Sequence, residues 1–327
     1  MNLIQINDTF PTELHCVEHL ELVRWGKMPK CAYCDNHQLG KRQKDNRFTC
    51  KSCRKTSGVA VGTYLHGTKI PFKTWFMAFA IVSDAKKGLS AMQLQRNLGL
   101  SYPTSWAMYH KIRDLMAMEN ADMQPLEDIV EMDETFVGGK PRRPNIVTLS
   151  PTERQGLNTA IKDAKSEGYE FNPLYGNAAK PDLNTKRGRG SQKKTPIVGI
   201  VQRDGSVIAE VMHTLSHKNL KAMVERHVNT DEALLITDAY KGYSRFDRVV
   251  EHIMLDHKAA YSYNGVNTNS IESFWAIIKR GLIGQYHQVS PKHLPRYVSE
   301  FVFKYNNRNE DDMFETLIEN AVKPTSL

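Results

Sequence analysis

The sequence predicts an α/β domain with a mixed sheet flanked by helices, preceded by a small cysteine-bearing module and a helical module. Three observations carry this. Beyond residue 125, short β-rich runs alternate with runs of helical period. Between residues 72 and 118 the apolar residues recur at helical spacing alone. Four of the five cysteines fall into two C-x2-C pairs within residues 31–53.

Length and composition set the frame. A chain of 327 residues has room for two or three domains and a sizeable core. It is 40% apolar and 24% charged, an ordinary globular composition, and its net charge of +8 points weakly to a polyanionic partner. The opening MNLIQINDTF lacks a basic stretch followed by a long apolar run. The most apolar helical stretch, Trp75–Val82, is too short to cross a bilayer. The expectation is a cytoplasmic protein, and in that reducing compartment paired cysteines speak for metal rather than disulfides.

The pairs are CAYC (Cys31, Cys34) and CKSC (Cys50, Cys53). Each pre-organises two thiolates, and together they complete a tetrahedral zinc site with no open position, hence a structural one. Cys16 lies outside the pattern and is expected as a free thiol. Around the second pair runs KRQKDNRFTCKSCRKT, residues 41–56, with seven basic residues and one acid. A zinc ribbon this basic reads as a phosphate-contacting module, with Arg47, Lys51, Arg54 and Lys55 as candidate DNA contacts.

In the helical module, Phe72, Trp75, Phe76, Phe79 and Val82 share one helical face, and Gly88 reads as a stop. Ser90 is expected to cap a second helix. Pro103 suits the first turn of a third, joined to the second at Gly99–Leu100–Ser101. The last two resemble a helix-turn-helix. In that arrangement Thr104, Ser105, His110, Lys111 and Arg113 face a DNA groove.

The third region starts near Pro125. Ile129–Val137 reads as a strand. PIVGIVQRDGSVIAEV reads as a hairpin about Arg203–Asp204–Gly205, and HKNLKAMVERHV as a helix. Ala233–Thr237 reads as a buried strand ending at Asp238, RVVEHIML as another, and PRYVSEFVFKYNNRN as a helix. A polar stretch of about residues 140–194 interrupts the domain and closes with KRGRGSQKK. Its Lys186, Arg187, Arg189, Lys193 and Lys194 are candidate DNA contacts, since so long a loop within a domain is usually functional or disordered. The expected domains are a ribbon over 1–60, a helical DNA-binding domain over 68–120, a catalytic domain over 125–312 and a tail over 313–327.

Three carboxylates are placed for chemistry. Asp133 sits inside an apolar strand, where an acid is costly unless paired or metal-bound. Asp238 ends a strand, at the crevice where α/β sheets bind ligands. Glu272 begins the helix in NTNSIESFWAIIKRGLIGQYH, residues 267–287. In that helix Ile271, Phe274, Trp275, Ile278 and Leu282 form an apolar stripe. Glu272 and Lys279 lie two turns apart, about 10 Å, along one edge of it. Geometry alone leaves open whether they are chemistry or a solvated pair. Oxygen ligands of this kind suit magnesium. Glu134, Glu131, Asp231 and Asp256 are reserve acids, and Asn267 and Asn269 are expected to cap the helix.

The cysteine pairs, MDETFVGGK, ITDAYKGY and NTNSIESFWAIIKRGLIGQYH resemble those of insertion-sequence transposases of the DDE superfamily, in the group with a zinc ribbon ahead of a ribonuclease-H-like catalytic domain. The resemblance runs from about Cys31 to Asn309. It includes the 34-residue step from Asp238 to Glu272 and a base seven residues after the glutamate, Lys279. It implies a catalytic triad of Asp133, Asp238 and Glu272 holding two Mg2+ (or Mn2+) ions for DNA cleavage and strand transfer. It also implies contacts to the transposon end by Lys279, Arg280, Lys241 and His287, double-stranded DNA as partner, and a homodimer or higher oligomer in a nucleoid-associated setting. Two other readings share some of these features: a structure-selective nuclease on the same fold, and a regulator using the ribbon and helix-turn-helix alone.

Overall fold

The first thirty residues, which the sequence reading placed within the ribbon, form two helices, α1 (Leu3–Thr9) and α2 (Glu13–Trp25). The signal for α1 was present: the Asn2 carboxamide accepts from the Gln5 N–H, while the Gln5 side chain accepts from the Asn2 N–H. The computed structural model describes residues 1–121, 123–138, 194–255, 267–309 and 312–325, with isolated positions between 152 and 166. Among them no helix is long and apolar enough to cross a membrane.

α2 caps its neighbour. The Glu13 carboxylate accepts from Phe72 N–H (2.7 Å) and Lys73 N–H (3.0 Å), at the start of α3 (Phe72–Asp84). That places an anion against the helix N-terminus, where orphan donors and the macrodipole favour it. α4 (Ala91–Leu98) starts at the Ser90 cap, as expected, and stops at left-handed Gly99. α5 (Tyr102–Ala121) carries Pro103 in its first turn. Residues 313–327 differ from the expected tail: they contain α9 (Met313–Val322), whose Phe314, Leu317 and Ile318 are buried. Phe10, Phe76 and Phe314 stack edge to face through ring centroids 4.9 and 5.6 Å apart, so the first and last helices share one core with α3.

The groove-facing reading of α5 fails for Ser105, His110 and Arg113, which are buried; Lys111 is exposed. Helical periodicity cannot distinguish a second packed face from a groove-facing one. Arg113 instead pairs with Glu300 (2.8 Å), which is fully buried on α8 (Leu294–Asn306). Glu300 also accepts from Lys304 Nζ (2.7 Å) and the Tyr109 hydroxyl (2.6 Å). The Tyr286 hydroxyl donates to it as well, at 2.9 Å. This charged hub joins α5 to α8.

The sheet has the order β5-β4-β3-β6-β7. Its strands are β3 (Leu126–Gly138), β4 (Lys194–Gln202), β5 (Val207–Val211), β6 (Val228–Asp238) and β7 (Glu251–Leu255). β3, β6 and β7 run parallel, and β4–β5 is the antiparallel hairpin expected about Arg203–Gly205. A separate pair, β1 (Phe48–Thr49) and β2 (Thr56–Ser57), lies in the ribbon. Alternation divides the main sheet. Val130, Met132, Val198 and Ile200 pack with Leu220, Met223 and Val224 of α6 (His217–His227). The opposite face takes α7 (Asn269–Gly281). There Gly199 on β4 leaves room for the Trp275 indole; an added Cβ would lie 2.7 Å from it.

Candidate metal centres and active site

The four predicted cysteines converge. Cys31 and Cys53 sulfurs are 3.6 Å apart, Cys34 and Cys50 sulfurs 3.7 Å, and all four lie within 4.8 Å of one another. A tetrahedron with Zn–S bonds of about 2.3 Å has edges of about 3.8 Å, so the thiols fit a structural zinc. The two knuckles repeat one design. Asp35 N–H donates to Cys31 O and Arg54 N–H to Cys50 O. Asp35 and Arg54 follow Cys34 and Cys53 in the left-handed region, at φ 54° and 63°. Burial opposes a Cys31 thiolate, but the N–H groups of Tyr33 and Cys34 and the neighbouring thiols outweigh it and bring the thiol down to about 7. Cys16, by contrast, is pushed by burial up to about 12. Cys50→Ser is expected to take zinc from about one ion per chain to nearly none by elemental analysis, because a three-thiolate site loses a closed shell. Full zinc content in the variant would contradict the four-sulfur assignment.

The ribbon's bases are partly engaged. Arg42 forms a two-point pair with Glu21 of α2 (2.9 and 2.8 Å), which docks the ribbon on that helix. Arg47 pairs with Asp45, and the Lys55 ammonium stands 4.7 Å from the Tyr33 ring. Arg47, Lys51, Arg54 and Lys55 are all exposed.

Where β6 ends, Met132 in the middle of β3 lies beside Thr237. The next residues are Asp133 and Asp238. Their carboxylates, with that of Glu134, lie within 4.8 Å of one another, a group of hard oxygen donors that fits a divalent cation such as Mg2+. Asp238 also accepts from Tyr240 N–H (3.0 Å), which fixes its rotamer at the strand's end. Trp275 Nε1–H donates to Asp133 at 3.1 Å. The sequence reading had assigned that indole to the core alone.

Glu134, one of the reserve acids, is turned by alternation to the face of β3 opposite Asp133. It does face the α6 side, where the Tyr243 hydroxyl donates to it at 2.8 Å. Burial and the Glu134 charge push that phenol well above its usual value, so Tyr243 remains a donor. Beside the end of β6, the Glu134 carboxylate still comes within 4.8 Å of those of Asp133 and Asp238; ITDAYKGY held Tyr243 as the clue to it.

Glu272 is not within the three-carboxylate group. It is exposed in the first turn of α7, one turn before Trp275. Lys279 and Arg280 are exposed in the last turn, His287 follows a π-helical turn, and Lys241 is exposed three residues past Asp238. Lys194 is exposed at the start of β4. Lys186, Arg187, Arg189, Lys193, Asp256, His257 and Asn264 lie outside the described residues. The reserve acid Glu131 has a different role from metal binding. It is fully buried, and one oxygen accepts from Ser270 N–H (2.8 Å) and Ile271 N–H (3.0 Å) of α7. The other oxygen accepts from Arg203 Nε (2.9 Å). Asn267 contributes the weaker part of the expected cap, accepting from Asn269 N–H at 3.2 Å.

A mixed five-stranded sheet flanked by helices, with acids on its two central parallel strands, is a ribonuclease-H-like α/β fold. Residues 170–306 match the ISXO2-like transposase domain and residues 11–56 the transposase zinc-ribbon domain. The chain belongs to the insertion-sequence transposases of the DDE superfamily that bear an N-terminal zinc ribbon. The catalytic-domain match contains Asp238 and Glu272, and Asp133 precedes it. No curated protein matches the chain. Among solved structures it is similar to the Mos1 transposase paired-end complex with left transposon end, at 13% identity and TM-score 0.30. It is also similar to a pre-cleavage Mos1 transpososome, at 11% and 0.28. Each likeness covers 77% of this chain and 80% of the other.

Proposed function

We propose that this transposase binds the ends of its insertion sequence and cuts and joins DNA through Asp133, Asp238 and Glu272. The observation that carries the reading is the convergence of Asp133 and Asp238 on adjacent parallel strands, beside Glu134. Asp133 and Asp238 would hold Mg2+, with Glu272 completing the ligand set. The bound ion supplies activation of water or a 3′-hydroxyl and stabilisation of the leaving oxygen. Trp275 orients Asp133 by its N–H bond, and the Tyr240 N–H orients Asp238. The exposed Lys279, Arg280 and His287 follow Glu272 in the chain and offer cations to the phosphates of a duplex end. The exposed Arg47, Lys51, Arg54 and Lys55 offer a second basic surface, on the ribbon. Two ends must be brought together, so a dimer or larger assembly on DNA is part of the proposal.

The test compares wild type and Glu272→Gln for magnesium-dependent nicking and joining of a short duplex bearing the element's ends. Loss of both reactions with DNA affinity kept is the expected outcome. Equal activity in the two proteins would remove Glu272 from the mechanism. Cutting without joining by wild type would favour the structure-selective nuclease.

A further inference from the structure

We propose that the Glu131–Arg203 pair sets the register of α7 against β3 and thereby places Glu272; the inference rests on the catalytic reading of Glu272 above. A carboxylate with no exposure is costly unless its lone pairs are filled and its charge is balanced. Glu131 meets both needs while linking three parts of the chain. One oxygen holds the first turn of α7 by the N–H groups of Ser270 and Ile271. The other holds Arg203, at the turn of the β4–β5 hairpin.

Arg203 closes the loop. Its Nη2 donates to Asn267 O (2.9 Å), just before α7, and its backbone N–H donates to Ile129 O (2.9 Å) on β3. The hairpin is itself braced, since Asn306 of α8 donates to Val207 O (3.0 Å) and accepts from Val207 N–H (2.8 Å). Thr268, at the helix N-cap position, makes no side-chain cap bond, so Glu131 supplies the anion that this N-terminus requires.

The placement matters because of spacing. Glu131 and Asp133 share a face of β3, about 6.6 Å apart. Glu272 is the residue after Ile271, whose N–H Glu131 holds. The strand that carries one acid of the triad therefore also fixes the backbone of another. Trp275, one turn later, keeps its own anchor on Asp133. Loss of the pair should release the first turn of α7 and leave the rest of the helix seated. Glu131 is thus a positioning residue, with both oxygens committed.

The test uses the full-length chain with Glu131→Gln and, separately, Arg203→Met. A glutamine cannot accept from both the helix and Arg203. Hydrogen exchange in peptides covering 269–275, without metal or DNA, should accelerate at least ~10-fold in both variants. Mn2+ affinity by calorimetry and end-cleavage kcat should fall ~10–100-fold, the usual cost of losing a group that orients a metal ligand. Affinity for the end duplex should stay within about 2-fold. Wild-type exchange and wild-type Mn2+ affinity in folded variants would overturn the proposal. Where Glu131→Gln does not fold, Arg203→Met decides by the same readings, since Arg203 is only partly buried. Accelerated exchange, in a protein whose wild type neither binds Mn2+ nor cleaves, would overturn the catalytic reading and leave the register lock standing.

Discussion

Asp133→Asn and Asp238→Asn are each expected to lower end cleavage roughly 10³-fold or more, with DNA affinity unchanged. Metal-assisted phosphoryl chemistry draws several kcal/mol of charge stabilisation from the ion, and each 1.36 kcal/mol is tenfold in rate. An amide in place of either carboxylate removes a charged ligand from the three-carboxylate group. The same geometry predicts that neither variant is less stable than wild type. Three carboxylates within 4.8 Å repel one another in the absence of a cation, and neutralising one relieves that repulsion. Asparagine at 133 also keeps an oxygen for the Trp275 N–H. Thermal unfolding beside a cleavage assay separates the two effects. Activity retained by both variants would place the chemistry elsewhere.

Glu300→Ala is expected to cost about 3–5 kcal/mol of stability, the scale for removing one partner of a buried ion pair. The substitution leaves Arg113 and Lys304 facing each other without an anion, and takes away the carboxylate acceptor of the Tyr109 and Tyr286 hydroxyls. Arg113 is wedged between the Tyr109 and Tyr297 rings, 3.7 and 3.8 Å from their centroids, so it has no path to water. The acid limb gives a second reading. Burial opposes the Glu300 carboxylate, but Lys304 and Arg113 overcome it and hold the group at about 2, below its ordinary 4.5. A depressed carboxylate contributes stability that is fully present above pH 4.5 and is lost as pH falls towards 2. Urea midpoints for wild type should therefore drop across that window, and those for Glu300→Ala should drop less. Parallel pH curves would show that the hub is electrostatically idle.

Several features of the site were legible from local pattern. The cysteine spacing marked the four-thiol cluster because ligand geometry is local to each knuckle. Asp133 and Asp238 were legible because acids within or at the ends of apolar strands have few structural excuses. The hairpin and the Ser90 cap followed from turn and cap chemistry, which acts over three or four residues. The helical pair α4–α5 was legible as helices, but three of the α5 residues expected at a groove, Ser105, His110 and Arg113, are buried. Ser105, His110 and Arg113 carry polar groups on a face that is buried against another part of the chain. Nothing within α5 announces a partner nearly two hundred residues away.

What the sequence by itself determined is the set of elements and the residue types at their ends: two knuckles, the strands carrying Asp133 and Asp238, and an amphipathic helix with Glu272 and Lys279 at its edge. Those follow from spacing, period and the cost of burying charge. What only the tertiary structure decided is how distant acids are used. Parallel pairing set Asp133 beside Asp238 and brought Glu134 into the same group. Packing of α7 across β3 gave Trp275 to Asp133, and turned Glu131 from a reserve metal ligand into the anion that holds that helix. The physical reason is common to all of these: a buried carboxylate takes its role from the donors that surround it, and those donors arrive from elsewhere in the chain.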